Sequence, residues 1–206
     1  MELISKAFGP PQTNCYILKT NAGELIIDPG IGATQWILQN TKNPLAILIT
    51  HGHYDHIWSL ADLKSSLPDI SIYAPKEDAF MLESDCFDTG LTPCVANHLI
   101  KGKKSNTSFE ILGIQIEYFH FPGHTPGCSI IQINDNMIFS GDFIFHRSIG
   151  RYDFPYSNAK DMKESLLRFQ QIDSKTDKVI YPGHGEETSL FTEQKNVSFW
   201  IHRFYT

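Results

Sequence analysis

Residues 50–56 read Thr-His-Gly-His-Tyr-Asp-His, with four metal-capable side chains inside six positions. An unbroken apolar run, Leu45-Ala46-Ile47-Leu48-Ile49, leads into them. Such a run, without polar alternation, predicts a strand buried on both faces. In extended backbone, residues i and i+2 point the same way, so His51 and His53 converge on one ion. A helix would splay them to opposite sides. Asp55 and His56 fall in the following turn, aimed at the same space or an adjacent one. The chemistry this pattern serves is metal binding.

Three later positions repeat the pattern. His124 stands in Pro122-Gly123-His124-Thr125-Pro126-Gly127, Asp142 follows Ser140-Gly141, and His184 stands in Pro182-Gly183-His184-Gly185. Each closes an apolar run read as a strand, and glycine permits the sharp exits that turn a side chain back over strand ends. Ligand sites in open α/β sheets gather at the carboxyl ends of strands. Taken singly, Asp142 reads as a turn residue and His184 as a loop histidine; their recurrence argues for a shared purpose. One zinc ion takes three or four protein ligands, so seven donors (His51, His53, Asp55, His56, His124, Asp142 and His184) exceed one ion. Two divalent ions sharing a bridging carboxylate and a bridging hydroxide would use them all. Nitrogen and carboxylate donors suit zinc, iron or manganese, and the lack of cysteine donors argues against a closed structural zinc site. Cys128 reads as a small buried filler. His98, His120, His146 and His202 lack the glycine context and are assigned structural or surface roles.

The elements that must position these donors are legible from pattern. Strands are expected at Leu3-Ile4, Cys15 to Leu18, and Glu24 to Ile27 after a turn at Asn21-Ala22-Gly23. A short helix through Trp36-Ile37-Leu38 precedes Leu45 to Ile49. Ile57, Leu60, Ala61 and Leu63 to Leu67 predict one helix ending at Pro68. A strand at Ile70 to Ala74 and a helix through Phe80-Met81-Leu82 follow. Residues 85–107 show no period, and their lysines, Lys101, Lys103 and Lys104, read as a solvated run. Phe109 to Leu112 and Ile114 to Phe121 form a hairpin around Gly113. Ser129 to Ile133 and Met137 to Phe139 form another. Asn158 is placed as the N-cap of a helix carrying Met162, Leu166 and Phe169. Lys178 to Tyr181 is the last strand, and Phe191 to Tyr205 is read as helical.

Composition bounds the rest. With 206 residues the chain suits one domain, 1–206, able to bury about 70% of its unfolded surface. Seventeen Lys and Arg against 23 Asp and Glu give a net charge of −6, with no dominant basic stripe, so nucleic acid is not the expected partner. No apolar run approaches the ~20 residues of a membrane span. The N-terminus lacks the pattern of a secretion signal, and the four scattered cysteines read as reduced thiols, so a cytoplasmic location is expected. The expected partner is a small-molecule substrate; oligomeric state is left open.

His51-Gly52-His53-Tyr54-Asp55-His56, with His124, Asp142 and His184 downstream, resembles the metallo-β-lactamase superfamily over nearly the whole chain. Within it, Pro122 to Gly127, Gly150-Arg151-Tyr152-Asp153-Phe154 and Pro182 to Gly185 resemble the small glyoxalase II-like, or hydroxyacylglutathione hydrolase-like, enzymes. The resemblance implies an α+β fold: an αββα sandwich of two mixed sheets packed face to face, helices outside, metals at one edge. It implies His51, His53 and His124 on one ion, Asp55, His56 and His184 on the other, and Asp142 bridging. Asp55 and Asp142 then count as catalytic, and Arg151 and Tyr156 as candidate substrate contacts, with an Arg151–Asp153 brace over the site as the alternative. Class B1 lactamases differ in having Arg at the place of His56 and Cys at that of Asp142. Flavodiiron proteins have Glu at the place of His53. Larger glyoxalase II enzymes add a C-terminal helical extension that contacts glutathione, which this chain is expected to lack.

The implied activity is hydrolysis of an acyl thioester such as S-lactoylglutathione by a hydroxide bridging two metal ions, with zinc expected ahead of iron or manganese. The alternative is a mononuclear iron persulfide dioxygenase acting on a glutathione-type persulfide. Those relatives share His-x-His-x-Asp-His and Gly-Arg-x-Asp-Phe. Their last motif usually reads Pro-Ala-His-Asp, whereas this chain has Pro182-Gly183-His184-Gly185-Glu186.

Overall fold

The structure is a computed structural model and describes residues 1–102 and 106–204. Lys103 and Lys104 of the basic run, and Tyr205 at the end of the last expected helix, lie outside the described residues.

Two six-stranded sheets form the centre. The first runs in the order β1 (Glu2–Phe8), β2 (Thr13–Lys19), β3 (Glu24–Ile27), β4 (Pro44–Leu48), β5 (Ser71–Pro75), β6 (His98–Ile100). In the second, β14 (Thr188–Ser189) is followed by β13 (Val179–Pro182), β10 (Met137–Gly141), β9 (Ser129–Ile133), β8 (Ile114–His120) and β7 (Asn106–Ile111). Both sheets are mixed: β3 to β6 are parallel, as are β10 and β13, and the remaining pairs are antiparallel. A small hairpin, β11 (Ile144–Phe145) with β12 (Ser148–Ile149), follows β10.

Helices cover both outer faces, and three apolar layers result. Ile17, Ile26, Ile47 and Ile72 of the first sheet face helices α1 (Thr34–Asn40), α2 (Tyr54–Ile57), α3 (Leu60–Ser66) and α4 (Ala79–Glu83). Leu18, Leu25, Ala46 and Leu48 point the other way, against Ile116, Tyr118, Ile131 and Phe139 of the second sheet. The outer face of that sheet packs Ile130, Ile138 and Ile180 against α5 (Ala159–Gln170) and α6 (Leu190–His202). This explains the unbroken apolar run of β4, since successive side chains enter two different cores. On β8 the alternation is real: Ile114, Ile116 and Tyr118 are buried while Gln115 is exposed. This is the expected αββα sandwich.

Several boundaries differ from expectation. The single helix predicted from Ile57 to Leu67 is two pieces, α2 and α3. The Ser59 amide donates to Pro29 O at 3.0 Å and its hydroxyl to Gly30 O at 2.7 Å, so the loop after β3 captures groups a continuous helix would use. Residues 85–107 are not wholly irregular. They contain β6, a three-residue edge strand too short to show a period, beside the Asn97 side chain, which accepts from the Ile72 amide at 2.6 Å. Asn158 does cap α5, its side chain accepting from the amides of Lys160 and Asp161, both at 3.0 Å. Cys15, Cys94 and Cys128 are buried and all four cysteines are free. Among the described residues no helix is long and apolar enough to cross a membrane.

Candidate metal centre

Four strand ends meet at one edge of the sandwich. β4 of the first sheet runs into His51 and His53, and α2 presents Asp55 and His56 one turn later. β8, β10 and β13 of the second sheet deliver His124, Asp142 and His184. Backbone bonds stitch this edge: Asn14 N donates to Gly183 O at 2.7 Å, Ser129 N to Thr50 O at 3.0 Å, and Gly183 N to Gly141 O at 2.8 Å.

All seven expected donors come together, in two groups. His51, His53 and His124 each offer a ligand atom within 4.8 Å of the others, and so do Asp55, His56 and His184. Asp142 lies between them. Its Oδ1 is 3.2 Å from His56 Nε2, and its Oδ2 is 3.4 Å from His124 Nε2 and 3.3 Å from His184 Nε2. Asp55 Oδ2 is 3.5 Å from both His56 Nε2 and His184 Nε2. Apart from His184, the seven side chains are buried.

The tautomers follow from the partners. A carbonyl or carboxylate oxygen only accepts, so the Nδ1–H of His124 donates to Arg151 O at 2.7 Å. By the same logic His184 Nδ1–H donates to Pro11 O at 3.0 Å, and His56 Nδ1–H to Asp28 Oδ2 at 3.0 Å. Thr50 Oγ1 gives its proton to Asp28 Oδ2 at 2.6 Å, so it accepts from His51 Nδ1 at 3.0 Å. Four histidines therefore turn Nε2 inward, away from these anchors. The Nε2 of His51, fully buried, has no hydrogen-bond partner, and those of His56, His124 and His184 meet only the Asp55 and Asp142 carboxylates. Imidazole nitrogens and carboxylates crowded in one dry space need positive charge, from protons in the metal-free fold and from cations in their place, so the donor set fits divalent metal ions.

The electrostatics divide the groups. Burial, reinforced by neighbouring His56, holds His51 well below the ordinary imidazole range. Burial and then His124 lower His53 to about 3. For His56, burial pulls downward, but the carboxylates of Asp142 and Asp55 outweigh it and hold it well above that range. The same contest lifts His184 to about 9. Burial resists ionisation of Asp142, yet His56 above all keeps its carboxyl well below the usual range. His51 and His53 are thus neutral nitrogen donors, whereas His56 and His184 are charge-paired with Asp55 and Asp142.

Four further residues, Asp28, Thr50, Thr13 and Asp78, support the donors. Asp28 fixes His56 and Thr50; its signal was a carboxylate at the end of the β3 apolar run, the same pattern that marks Asp142. Thr50 relays that hold to His51. Thr13 Oγ1 donates to Asp55 Oδ2 at 2.6 Å. Asp78, fully buried, accepts from Gly52 N at 2.9 Å, Thr125 Oγ1 at 2.6 Å and Gly127 N at 2.6 Å, tying the loop of His51 and His53 to that of His124. Nothing in the local sequence marks Asp78. Two glycines keep the centre compact. Gly141 has φ +49°, where a Cβ would meet Thr50 Oγ1, and a Cβ on Gly183 would meet Asp142 Oδ1.

Above the donors lies a cleft of about 400 Å³ lined by Pro11, His53, Tyr54, Asp55, Phe87, Asp142, Phe154, Pro155 and His184. Neither of the expected substrate contacts, Arg151 and Tyr156, is among these lining residues; Arg151 Nε and Nη2 fork onto the Asp153 carboxylate at 2.9 Å each. Its guanidinium lies 4.2 Å from the centre of the Phe154 ring. Tyr156 packs against Phe80 and Phe87, with ring centroids 5.0 and 5.7 Å away.

Comparison with known proteins adds an independent line. The sequence profile described as Metallo-beta-lactamase superfamily matches residues 8–184. The hydroxyacylglutathione hydrolase GloC of Haemophilus influenzae is 32% identical over 203 residues, covering 91% of this chain and 92% of that protein. Among solved structures, the BLEG-1 B3 metallo-beta-lactamase superposes with a TM-score of 0.81 at 28% identity, covering 96% of this chain and 99% of its own. TTHA1623, solved in a di-iron-bound form, superposes with a TM-score of 0.76 at 30% identity, covering 95% of this chain and 99% of its own.

Proposed function

The chain belongs to the metallo-beta-lactamase superfamily, and from that premise we propose that it is a thioester hydrolase of glyoxalase II type working with two divalent ions, zinc first. One observation carries the dinuclear reading: the Asp142 carboxylate faces both triplets at once, within 3.2–3.4 Å of His56, His124 and His184. His51, His53 and His124 would hold one ion, Asp55, His56 and His184 the other, and Asp142 both. When bound, two such ions supply Lewis acidity toward a carbonyl oxygen and a water acidic enough to be a nucleophile at neutral pH.

The protein's own groups do the positioning. Thr13 holds Asp55, Asp28 holds His56, and Thr50 holds His51, so three donors cannot turn away. Pro11, Phe87, Phe154 and Pro155 wall the cleft. A thioester suits such a site. Water's oxygen adds to the carbonyl carbon, the C–S bond breaks, and its electron pair leaves on sulfur. Thiolate departs without needing a proton, so no separate general acid is required. The products are a carboxylate and a thiolate, and water's two protons pass to solvent.

The relative named hydroxyacylglutathione hydrolase makes S-lactoylglutathione the first substrate to try, beside a panel of other acyl thioesters. Zinc in a two-to-one ratio with turnover on the panel is the expected result. Asp142→Ala is expected to lose metal and activity together; a variant with full turnover and no metal would sink the proposal. Iron, with oxygen uptake on a persulfide, would replace it with the dioxygenase reading.

A further inference from the structure

The rings over the metal centre bear on which thioester enters. We propose that one arm of the substrate is apolar and about the size of a phenyl ring, lying between Phe87 and Phe154 over His53 and His124. The inference rests on the hydrolase reading and adds the substrate class.

Phe87 stands 5.5 Å from the His53 ring, and Phe154 stands 6.0 Å from His53 and 6.2 Å from His124. With Pro11 and Pro155 they make the cleft's wall apolar. Its charged lining residues are Asp55, Asp142 and His184, all three turned to the donor clusters, and among the described lining residues there is no lysine or arginine. The nearby cation, Arg151, is forked onto Asp153 and covers one face of Phe154. An anionic arm lying against the Phe87 and Phe154 rings, away from the donor clusters, would lose hydration without gaining a partner. An apolar arm would remove ring surface from water, for Phe154 is 39% exposed.

The wall is set before any ligand arrives. Residues 151–158 are pinned to the His124 loop: Arg151 O accepts from His124 Nδ1, Ser157 Oγ donates to His124 O at 2.7 Å, and Asn158 N donates to Gly123 O at 2.8 Å. The Phe87 loop is folded around Asp85, which accepts from Thr89 N at 2.9 Å, Thr89 Oγ1 at 2.8 Å and Gly90 N at 2.6 Å. Tyr156 bridges the two, contacting Phe87 and Phe80. A slot built this way charges its ligand little ordering entropy, the condition under which apolar contact converts into selectivity.

The test uses the metal-loaded protein and two matched series: N-acetylcysteamine thioesters of acetate and phenylacetate, and acetyl thioesters of ethanethiol and benzyl mercaptan. The ring-bearing member of one series is expected to show kcat/KM about tenfold or more above its small partner. Phe87→Ala and Phe154→Ala should bring that ratio toward one, with Phe87→Leu intermediate. Calorimetry with a thioether that replaces S–C=O by S–CH2 reads binding without turnover, and the ring-bearing thioether should bind at least as selectively. Ratios near one in both series, with no preference among thioethers, overturn the inference while leaving hydrolysis standing. No turnover of any thioester, with the ring-bearing thioether still bound and displaced by Phe154→Ala, sinks the hydrolase reading and supports the apolar slot.

Discussion

Gly183→Ala adds one methyl group and removes no donor, so it tests whether the geometry of the centre, rather than its inventory, sustains two ions. A Cβ at Gly183 would sit against Asp142 Oδ1, 2.7 Å from His56 Cε1 and 3.0 Å from Gly141 C. Ordinary contact begins near 3.4 Å, so the His56 ring would have to retreat by about 0.7 Å. It has little freedom to do so. His56 is fully buried, bonded at 3.0 Å to Asp28 Oδ2, and 4.2 Å centroid to centroid from His51. Asp142 must move as well, and it faces both triplets. Overpacking of this kind costs about 1–3 kcal/mol of stability, while a displacement near 1 Å at reacting groups costs on the order of 10²-fold in rate. The expected result is a folded protein that binds fewer than two ions and turns over on the order of a hundredfold more slowly. Elemental analysis after gel filtration, a thermal melt and single-turnover kinetics read the three quantities separately. A Gly183→Ala protein with two tightly held ions and ordinary kcat would refute the close approach and the bridging role of Asp142 together.

Other perturbations probe the supports. Asp28→Asn presents an amide N–H₂ where one of its oxygens now accepts, facing Thr50 N at 2.8 Å or Thr50 Oγ1 and His56 Nδ1 at 2.6 and 3.0 Å. Metal affinity should fall about 10–100-fold, read by competition with a chelator; a change under twofold would discount Asp28 as an orienting group. Asp78→Ala leaves two buried amides and a hydroxyl without an acceptor, each worth about 1–3 kcal/mol. A lower melting temperature is expected even for the metal-free protein, and an unchanged melt would contradict the brace. The pH dependence has a definite sign. His56 and His184 are raised in the metal-free fold, His184 to about 9, against about 6.5 when unfolded. Their ion pairs therefore stabilise that fold fully below about pH 6.5, and the contribution is lost as pH rises through their raised values, about 9 for His184. Metal must displace those protons, so affinity should rise with pH over this window. Calorimetry near pH 7.5 in buffers of different ionisation heat should detect at least two protons released per chain, and none released would exclude protonated His56 and His184.

The candidate site was more legible than its supports because the donors that converge there obey a local pattern. His51, His53, His124, Asp142 and His184 each follow an apolar run and sit beside glycine, and both signals are local. The sandwich was legible for a related reason: β4 reads as continuously apolar because its two faces enter two cores, and Asn158 advertises its cap. What stayed hidden depends on long-range pairing. Asp78 touches Gly52, Thr125 and Gly127, none near it in sequence, and its own neighbours on the 3-10 turn before α4 say nothing of that role. The break between α2 and α3 came from Pro29 and Gly30, some thirty residues upstream, capturing Ser59. Edge strand β6 has three residues, too few for a period to register.

The division of donors between the two sheets has a kinetic consequence. Each triplet takes side chains from the end of the first sheet and from the second, so neither can assemble until the sandwich has closed. Binding energy realised only at closure is absent from a folding transition state that precedes it. Metal should accordingly leave the refolding rate of the chain nearly unchanged and act almost wholly on the rate of opening. The centre then works as a latch on the lifetime of the native state, and a protein stripped of its ions would fold as promptly as before but come apart sooner.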